Sequence, residues 1–233
     1  PRPGFGWLIE PSEFRQWILE EDDSVLVVNK PAHVVCHPSK HGPASSLVGA
    51  ARLHTGLDRL HMPSRLDRET SGAVVFAKKR ELASELQRAI QHGRVFKQYT
   101  AILRGELREE TRVEAPLGRA PGALFRLRMG VVSGGAPSIT TFTPVQRRAG
   151  YTLASVIPQT GRLHQIRVHA AHIGCPVAGD KLYGGDETLL LEFIERGWTA
   201  RHAAALPLDE PPGVCARLCG LRVAPGVKFA SRR

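Results

Sequence analysis

The 233-residue chain is poor in cysteine and in tyrosine, and it has no long apolar run. Its four cysteines, Cys36, Cys175, Cys215 and Cys219, are too few and too scattered for the disulfide framework of a small secreted domain, so reduced thiols are expected. Cys215 and Cys219 lack a second cysteine or histidine pair at finger-like spacing, which favours incidental thiols over a zinc site. No apolar stretch approaches the roughly 20 residues of a membrane span. The first twenty positions are broken by Pro3, Gly4, Gly6, Pro11 and several charges, unlike a secretory leader. A cytoplasmic protein without a membrane partner is the expectation. Fixed-period repeats and low-complexity tracts are missing too. The glycines between Gly179 and Gly185 match neither the dinucleotide-binding nor the Lys-Ser/Thr nucleotide spacing, so they read as tight turns.

What the chain has in excess is positive charge. Its 32 Lys and Arg stand against 22 Asp and Glu, a net charge of +10. A domain this basic commonly meets a polyanion, of which a nucleic-acid backbone is the most abundant, although charge kept for solubility is the plainer alternative. With 42% hydrophobic and 23% charged residues, the chain can bury a real core without metals or disulfides.

Periodicity predicts strands over residues 23–29, 72–78, 95–103, 140–145, 152–157 and 165–168. The run 72–78 is expected to be buried on both faces. Helices are predicted over 45–53, 80–92 and 189–196, the second with Leu82, Leu86, Ala89 and Ile90 at helical spacing and Gly93 as its stop. The irregular alternation and short connections favour an α+β fold over a doubly wound parallel sheet. Residues 1–20 read as an N-terminal extension, 21–220 as the main domain and 221–233 as a basic tail. The Gly- and Pro-rich stretch 116–144, with Arg119, Arg126 and Arg128, reads as a surface loop or as a hairpin reaching toward an anion.

Two polar clusters carry the candidate chemistry. In Arg65-Leu66-Asp67-Arg68-Glu69-Thr70-Ser71-Gly72, a carboxylate flanked by two guanidinium groups suits an ionised nucleophile or base better than a general acid, and Asp67 is the first candidate. The plainer reading is a solvated turn before a strand. In Thr160-Gly161-Arg162-Leu163-His164-Gln165-Ile166-Arg167-Val168-His169, a strand would put His164 and His169 on opposite faces, which argues against a shared metal ion. A guanidinium emerging from an apolar strand needs a buried carboxylate partner, which makes Arg167 the second candidate. Tyr99, one of three tyrosines, would share a strand face with Lys97 and Ala101 and reach a pocket, or simply pack there.

Taken in order, residues 65–72, Lys97-Gln98-Tyr99-Thr100-Ala101 and residues 160–169 resemble the signatures of the RluA-type pseudouridine synthases. Asn29-Lys30-Pro31-Ala32, His37-Pro38 and Gly174 to Gly184 resemble the same family's opening and closing motifs. The resemblance runs from about residue 20 to residue 185 and implies a curved, mixed but mostly antiparallel sheet with flanking helices and a central catalytic cleft. The implied reaction turns specific uridines of structured RNA, ribosomal or transfer, into pseudouridine. By this likeness Asp67 is the essential aspartate, Tyr99 packs on the uracil and helps remove its C5 proton, and Arg167 pairs with Asp67. Arg65 fills the space left by the extruded uridine, and Lys30, Arg68, Arg162 and His164 contact RNA. The chemistry oxidises nothing and donates no group, so no cofactor or metal is expected, and a monomer is. The sequence departs from the pattern at Ser64, where the subgroup commonly has His. Rival readings are a non-catalytic RNA-binding relative and a hydrolase that uses Asp67 on another glycoside or ester, the latter without an evident second acid.

Overall fold

A computed structural model describes residues 8–38, 45–124, 128–186, 188–197 and 199–205. These residues fall into two compact units that meet in sequence between Phe96 and Lys97. The basic tail expected at 221–233, and Cys215 and Cys219, lie outside the described residues.

The first unit is a three-stranded antiparallel sheet, β1 (Ile18–Glu21), β2 (Val25–Lys30) and β3 (Gly72–Ala77), with β2 in the middle. Three helices accompany it: α1 (Pro11–Gln16), α2 (Leu47–Thr55) and α3 (Arg80–Gln91). The β-branched run on β2 buries Val25, Leu26 and Val28. Burial on β3 alternates through Val74 and Phe76, with Ala73 and Val75 half-buried, so the expected enclosure on both faces is not what forms. Residues 8–20, expected to be an extension, supply Phe14 and Trp17 to this core. Ser46 caps α2 by accepting a hydrogen bond from the Gly49 amide, and Leu47, Val48 and Ala51 turn inward. Helix α3 keeps its apolar stripe only half-buried. It stops at Gly93, whose φ of 67° lets the Arg94 amide reach back to the Ala89 carbonyl at 2.8 Å.

The second unit is a four-stranded antiparallel sheet ordered β4 (Tyr99–Arg104), β9 (Tyr151–Pro158), β8 (Ile139–Arg148) and β5 (Thr111–Glu114). A short hairpin of β6 (Leu117–Arg119) and β7 (Met129–Val131) takes up part of the stretch expected to be a loop or hairpin. Strand β4 begins at Tyr99, later than predicted, so Lys97 lies before it. Every residue pair between these strands is antiparallel. Ala101, Leu103, Phe142, Ala154 and Val156 form the apolar face of the sheet.

Against that face packs α4 (Gln165–His172), where the sequence predicted a strand. The physical reason is that the helix is apolar on two sides. Ile166 and Ala170 join the sheet core, while Val168 and Ala171 join a second cluster with Leu117, Leu182 and Tyr183. Ile166, Val168 and Ala170 therefore alternate in sequence like a strand while sitting on different faces of a helix. Helices α5 (Thr188–Arg196) and α6 (Ala200–Ala205) follow.

Candidate active site

In the first unit, the segment from Leu66 to Thr70 is held by its backbone. The Cys36 thiol donates to the Leu66 carbonyl at 3.3 Å. The Thr70 amide closes a turn on the Asp67 carbonyl at 3.1 Å. The Lys30 ammonium donates to the Arg68 carbonyl at 3.0 Å. Three successive carbonyls, those of Leu66, Asp67 and Arg68, are thus fixed, and the Leu66 side chain packs on the core beneath them. Asp67 is half-buried on this rigid backbone, and Arg65 beside it is exposed. Arg68 pairs with Glu69, whose other oxygen meets His33 Nδ1 at 2.8 Å.

Lys30 is fully enclosed, and its three donors go to the carbonyls of Pro31, Val34 and Arg68 at 2.9, 2.9 and 3.0 Å. Burial drives its pKa down to about 8, partly offset by the nearby Glu69 and Asp67 carboxylates. The RNA contact expected at Lys30 does not fit a fully enclosed ammonium. This lysine holds the Asp67 segment in place. Burial likewise pushes the Cys36 thiol up, which keeps it a hydrogen-bond donor.

In the second unit, Arg167 lies on helix α4, so the strand expected to carry it is corrected to a helix. The carboxylate expected beside Arg167 was that of Asp67, and the structure shows a buried one in Asp180, which the sequence reading did not name. Arg167 Nε and Nη2 meet Asp180 Oδ2 and Oδ1 at 2.6 and 2.8 Å. Burial alone would raise the Asp180 pKa, but Arg167 and the Leu182 and Tyr183 amides carry it below the usual carboxylate value. The Tyr183 ring lies 4.9 Å from Arg167 Cζ, and its hydroxyl stands 2.8 Å from His164 Nδ1. His164, in a left-handed conformation at the start of α4, is half-buried beside that phenol. Tyr99 opens β4, half-buried against the sheet core and paired in register with Val156. Arg162 is exposed, with Nε 3.3 Å from the Pro137 carbonyl.

The loop into α4 is set by the buried Gln165, whose amide makes four bonds. Its Oε1 accepts from the Thr160 hydroxyl at 2.7 Å and the Arg162 amide at 3.0 Å. Its Nε2 donates to the Ile139 carbonyl and the Thr140 hydroxyl, both at 2.9 Å. His169 continues the chain, with Nδ1 2.9 Å from the Thr140 hydroxyl and Nε2 3.0 Å from the Ala115 carbonyl. A carbonyl only accepts, so Nε2 carries the proton and a neutral ring takes the Thr140 hydroxyl proton at Nδ1. Burial lowers the pKa of His169 below its ordinary 6.5.

The unfolded chain therefore takes up a proton below pH 6.5 that folded His169 resists, and stability falls as pH drops through that window. Denaturant titrations from pH 7.5 to 5 check this, because His169→Gln should lose that part of the pH slope. Among the described residues, no group of three or more His, Cys, Asp or Glu side chains is placed to hold a metal ion.

Asp180, Gln165 and Tyr183 were missed as site residues in the sequence. A short Gly-Asp segment reads first as a turn, and Asp180 also builds one, accepting from the Leu182 and Tyr183 amides at 2.9 and 3.1 Å. The signal that could have found it was the demand of a half-buried Arg167 for a carboxylate close to it in the chain.

Comparison with known proteins matches residues 24–172 to the family described as RNA pseudouridylate synthase. The ribosomal large subunit pseudouridine synthase D of Haemophilus ducreyi is 34% identical over 214 residues, covering 87% of this chain and 65% of that protein. The protein of the same description from Nitrosomonas europaea is 38% identical over 201 residues, covering 83% of this chain and 58% of that one. The chain thus spans less than two thirds of the length of these two relatives.

Among solved structures, human RNA pseudouridylate synthase domain containing 1 is similar at a TM-score of 0.65 and 26% identity, covering 89% of this chain and 78% of that one. Human RNA pseudouridylate synthase domain containing 4 shares the fold at a TM-score of 0.66 and 22% identity, covering 90% and 84%. With the match spanning both the segment around Asp67 and the helix of Arg167, the chain belongs to the RNA pseudouridylate synthase family.

Proposed function

We propose that this chain converts uridine to pseudouridine within RNA, and that the RNA is large-subunit ribosomal RNA, as the names of its relatives say of them. The observation that carries the reading is the backbone of the Asp67 segment, in which three consecutive carbonyls are tied and a carboxylate is presented on a fixed frame. Preorganisation of this kind is what chemistry at an anomeric carbon needs.

The reaction breaks the bond from C1′ to N1 of uracil, turns the freed base and forms a bond from C1′ to C5. One proton leaves C5 and one is taken up at N1, so the mass of the RNA is unchanged. In this account the Asp67 carboxylate acts on the nucleoside and Arg167 supplies its cationic partner. Tyr99 packs on the uracil and assists loss of the C5 proton. The target is normally stacked, so the enzyme flips it out, and Arg65, planar and cationic, fills the gap. Arg68, Arg162 and His164 contact the surrounding RNA, and the net charge of +10 makes that grip salt-dependent. No cofactor is called for, because the isomerisation is redox-neutral and internal. In this reading the protein works as a monomer in the cytoplasm. Among the described residues no helix is long and apolar enough to cross a membrane.

Tritium release from RNA labelled at C5 of uracil tests the reading. Tyr99→Phe should bind the RNA as tightly as the wild-type protein and lose turnover. Weaker binding with turnover intact would contradict the role given to Tyr99.

A further inference from the structure

We propose that Asp180 and Tyr183 are positioning residues that fix the guanidinium plane of Arg167 before RNA arrives. The inference rests on the reading above in taking Arg167 to serve the isomerisation, and it assigns work to the segment from Gly174 to Gly184.

Asp180 holds the guanidinium in its own plane through two near-parallel bonds, Nε to Oδ2 at 2.6 Å and Nη2 to Oδ1 at 2.8 Å. A fork of this kind fixes both distance and rotation, which a single hydrogen bond leaves loose. The carboxylate is itself immobile. Its side chain is 2% exposed, and Oδ1 also accepts from the backbone amides of Leu182 and Tyr183.

Tyr183 constrains the remaining freedom. Its ring centroid is 4.9 Å from Arg167 Cζ, within the range of a cation–π contact. The ring is fixed at its far end, where the hydroxyl accepts from the Met129 amide at 3.0 Å and meets His164 Nδ1 at 2.8 Å. Arg128 Cζ also lies 5.8 Å from the ring centroid. The start of β7 thereby steadies Tyr183, and the segment after α4 steadies Arg167.

The arrangement says what kind of group Arg167 is. Asp180 fixes the direction of a guanidinium that stays charged, which makes Arg167 a directed donor to one place and not a mobile grip for phosphate. Loss of Asp180 should therefore leave RNA affinity unchanged and reduce turnover.

Asp180→Asn is the test, since an asparagine Oδ1 can still accept from the Leu182 and Tyr183 amides and keep the turn. In a proton–nitrogen spectrum of arginine side chains, wild-type Arg167 should show a slowly exchanging Nε–H that Asp180→Asn loses while the backbone spectrum stays folded. A retained, protected signal in the variant would overturn the proposal. This arm needs no RNA.

In tritium release from transcribed large-subunit ribosomal RNA, kcat should fall about a hundredfold, the scale of a misplaced reacting group. The Kd for RNA should stay within about twofold, since no phosphate contact is removed. Adding Asp180→Asn to Arg167→Lys should cause no further fall, because residues acting through one group are not additive. Multiplicative losses, or weakened RNA binding as the main effect, would overturn it. If wild-type protein released no tritium while the Nε–H behaved as stated, the assigned reaction would fail and the positioning of Arg167 would stand.

Discussion

Asp67→Asn should abolish tritium release from uracil C5 while leaving the fold and the affinity for RNA intact. The expected loss is at least about 10⁴-fold, corresponding to roughly 5 kcal/mol of barrier at about 1.4 kcal/mol per factor of ten. The size follows from the chemistry, because an amide keeps the shape of the carboxylate and loses its negative charge and nucleophilicity. The fold should survive, because Thr70 closes its turn on the Asp67 backbone carbonyl and not on the side chain. Circular dichroism and RNA binding by filter retention provide the controls. Turnover within tenfold of wild type would remove Asp67 from the mechanism.

Lys30→Met has the second largest expected effect, in a residue that never touches substrate. Methionine approximates the lysine stem, so no large cavity opens, but the carbonyls of Pro31, Val34 and Arg68 lose their donor together. An unsatisfied buried polar group costs about 1–3 kcal/mol, and relief from burying an ammonium offsets part of it, so a net loss of about 2 kcal/mol is expected in denaturant titration. Turnover should fall further than stability suggests, by about a hundredfold, because the Arg68 carbonyl that braces the Asp67 segment comes free. With its pKa near 8, wild-type Lys30 keeps only two hydrogens for three carbonyls above that pH. Activity should therefore decline as pH rises through 8, and the methionine variant should lack this dependence. A kcat within twofold of wild type would contradict the bracing role.

Elements with one continuous apolar run or stripe were legible in the sequence. Strands β2, β3, β8 and β9 and helices α2 and α3 carry an apolar run or stripe with clear ends, and their predicted ranges lie close to the observed ones. Helix α4 was not legible, since two apolar sides of a helix produce the alternation of a strand in Ile166, Val168 and Ala170. Strands β5, β6 and β7, of four, three and three residues, are too short to carry a period and form because neighbouring strands pair with them.

Among the candidate residues, Asp67, Tyr99 and Arg167 stood out by residue type and motif order. The groups that hold them did not. Lys30 looked like a cation available to RNA, because a sequence shows its charge and not the three carbonyls around it. Asp180 looked like a turn former, and its pairing with Arg167 depends on how the chain returns after α4. Buried polar partners are set by tertiary contacts, so sequence shows the demand for a partner and not its identity.

The most direct measurement is nucleoside analysis of unmodified large-subunit ribosomal RNA after incubation with the purified protein, with the liberated bases assayed in the same sample. Pseudouridine at one or a few positions, an equal loss of uridine, an unchanged RNA mass and no free uracil are expected. Free uracil with abasic RNA, or RNA that is bound and left unaltered, would contradict the proposed isomerisation.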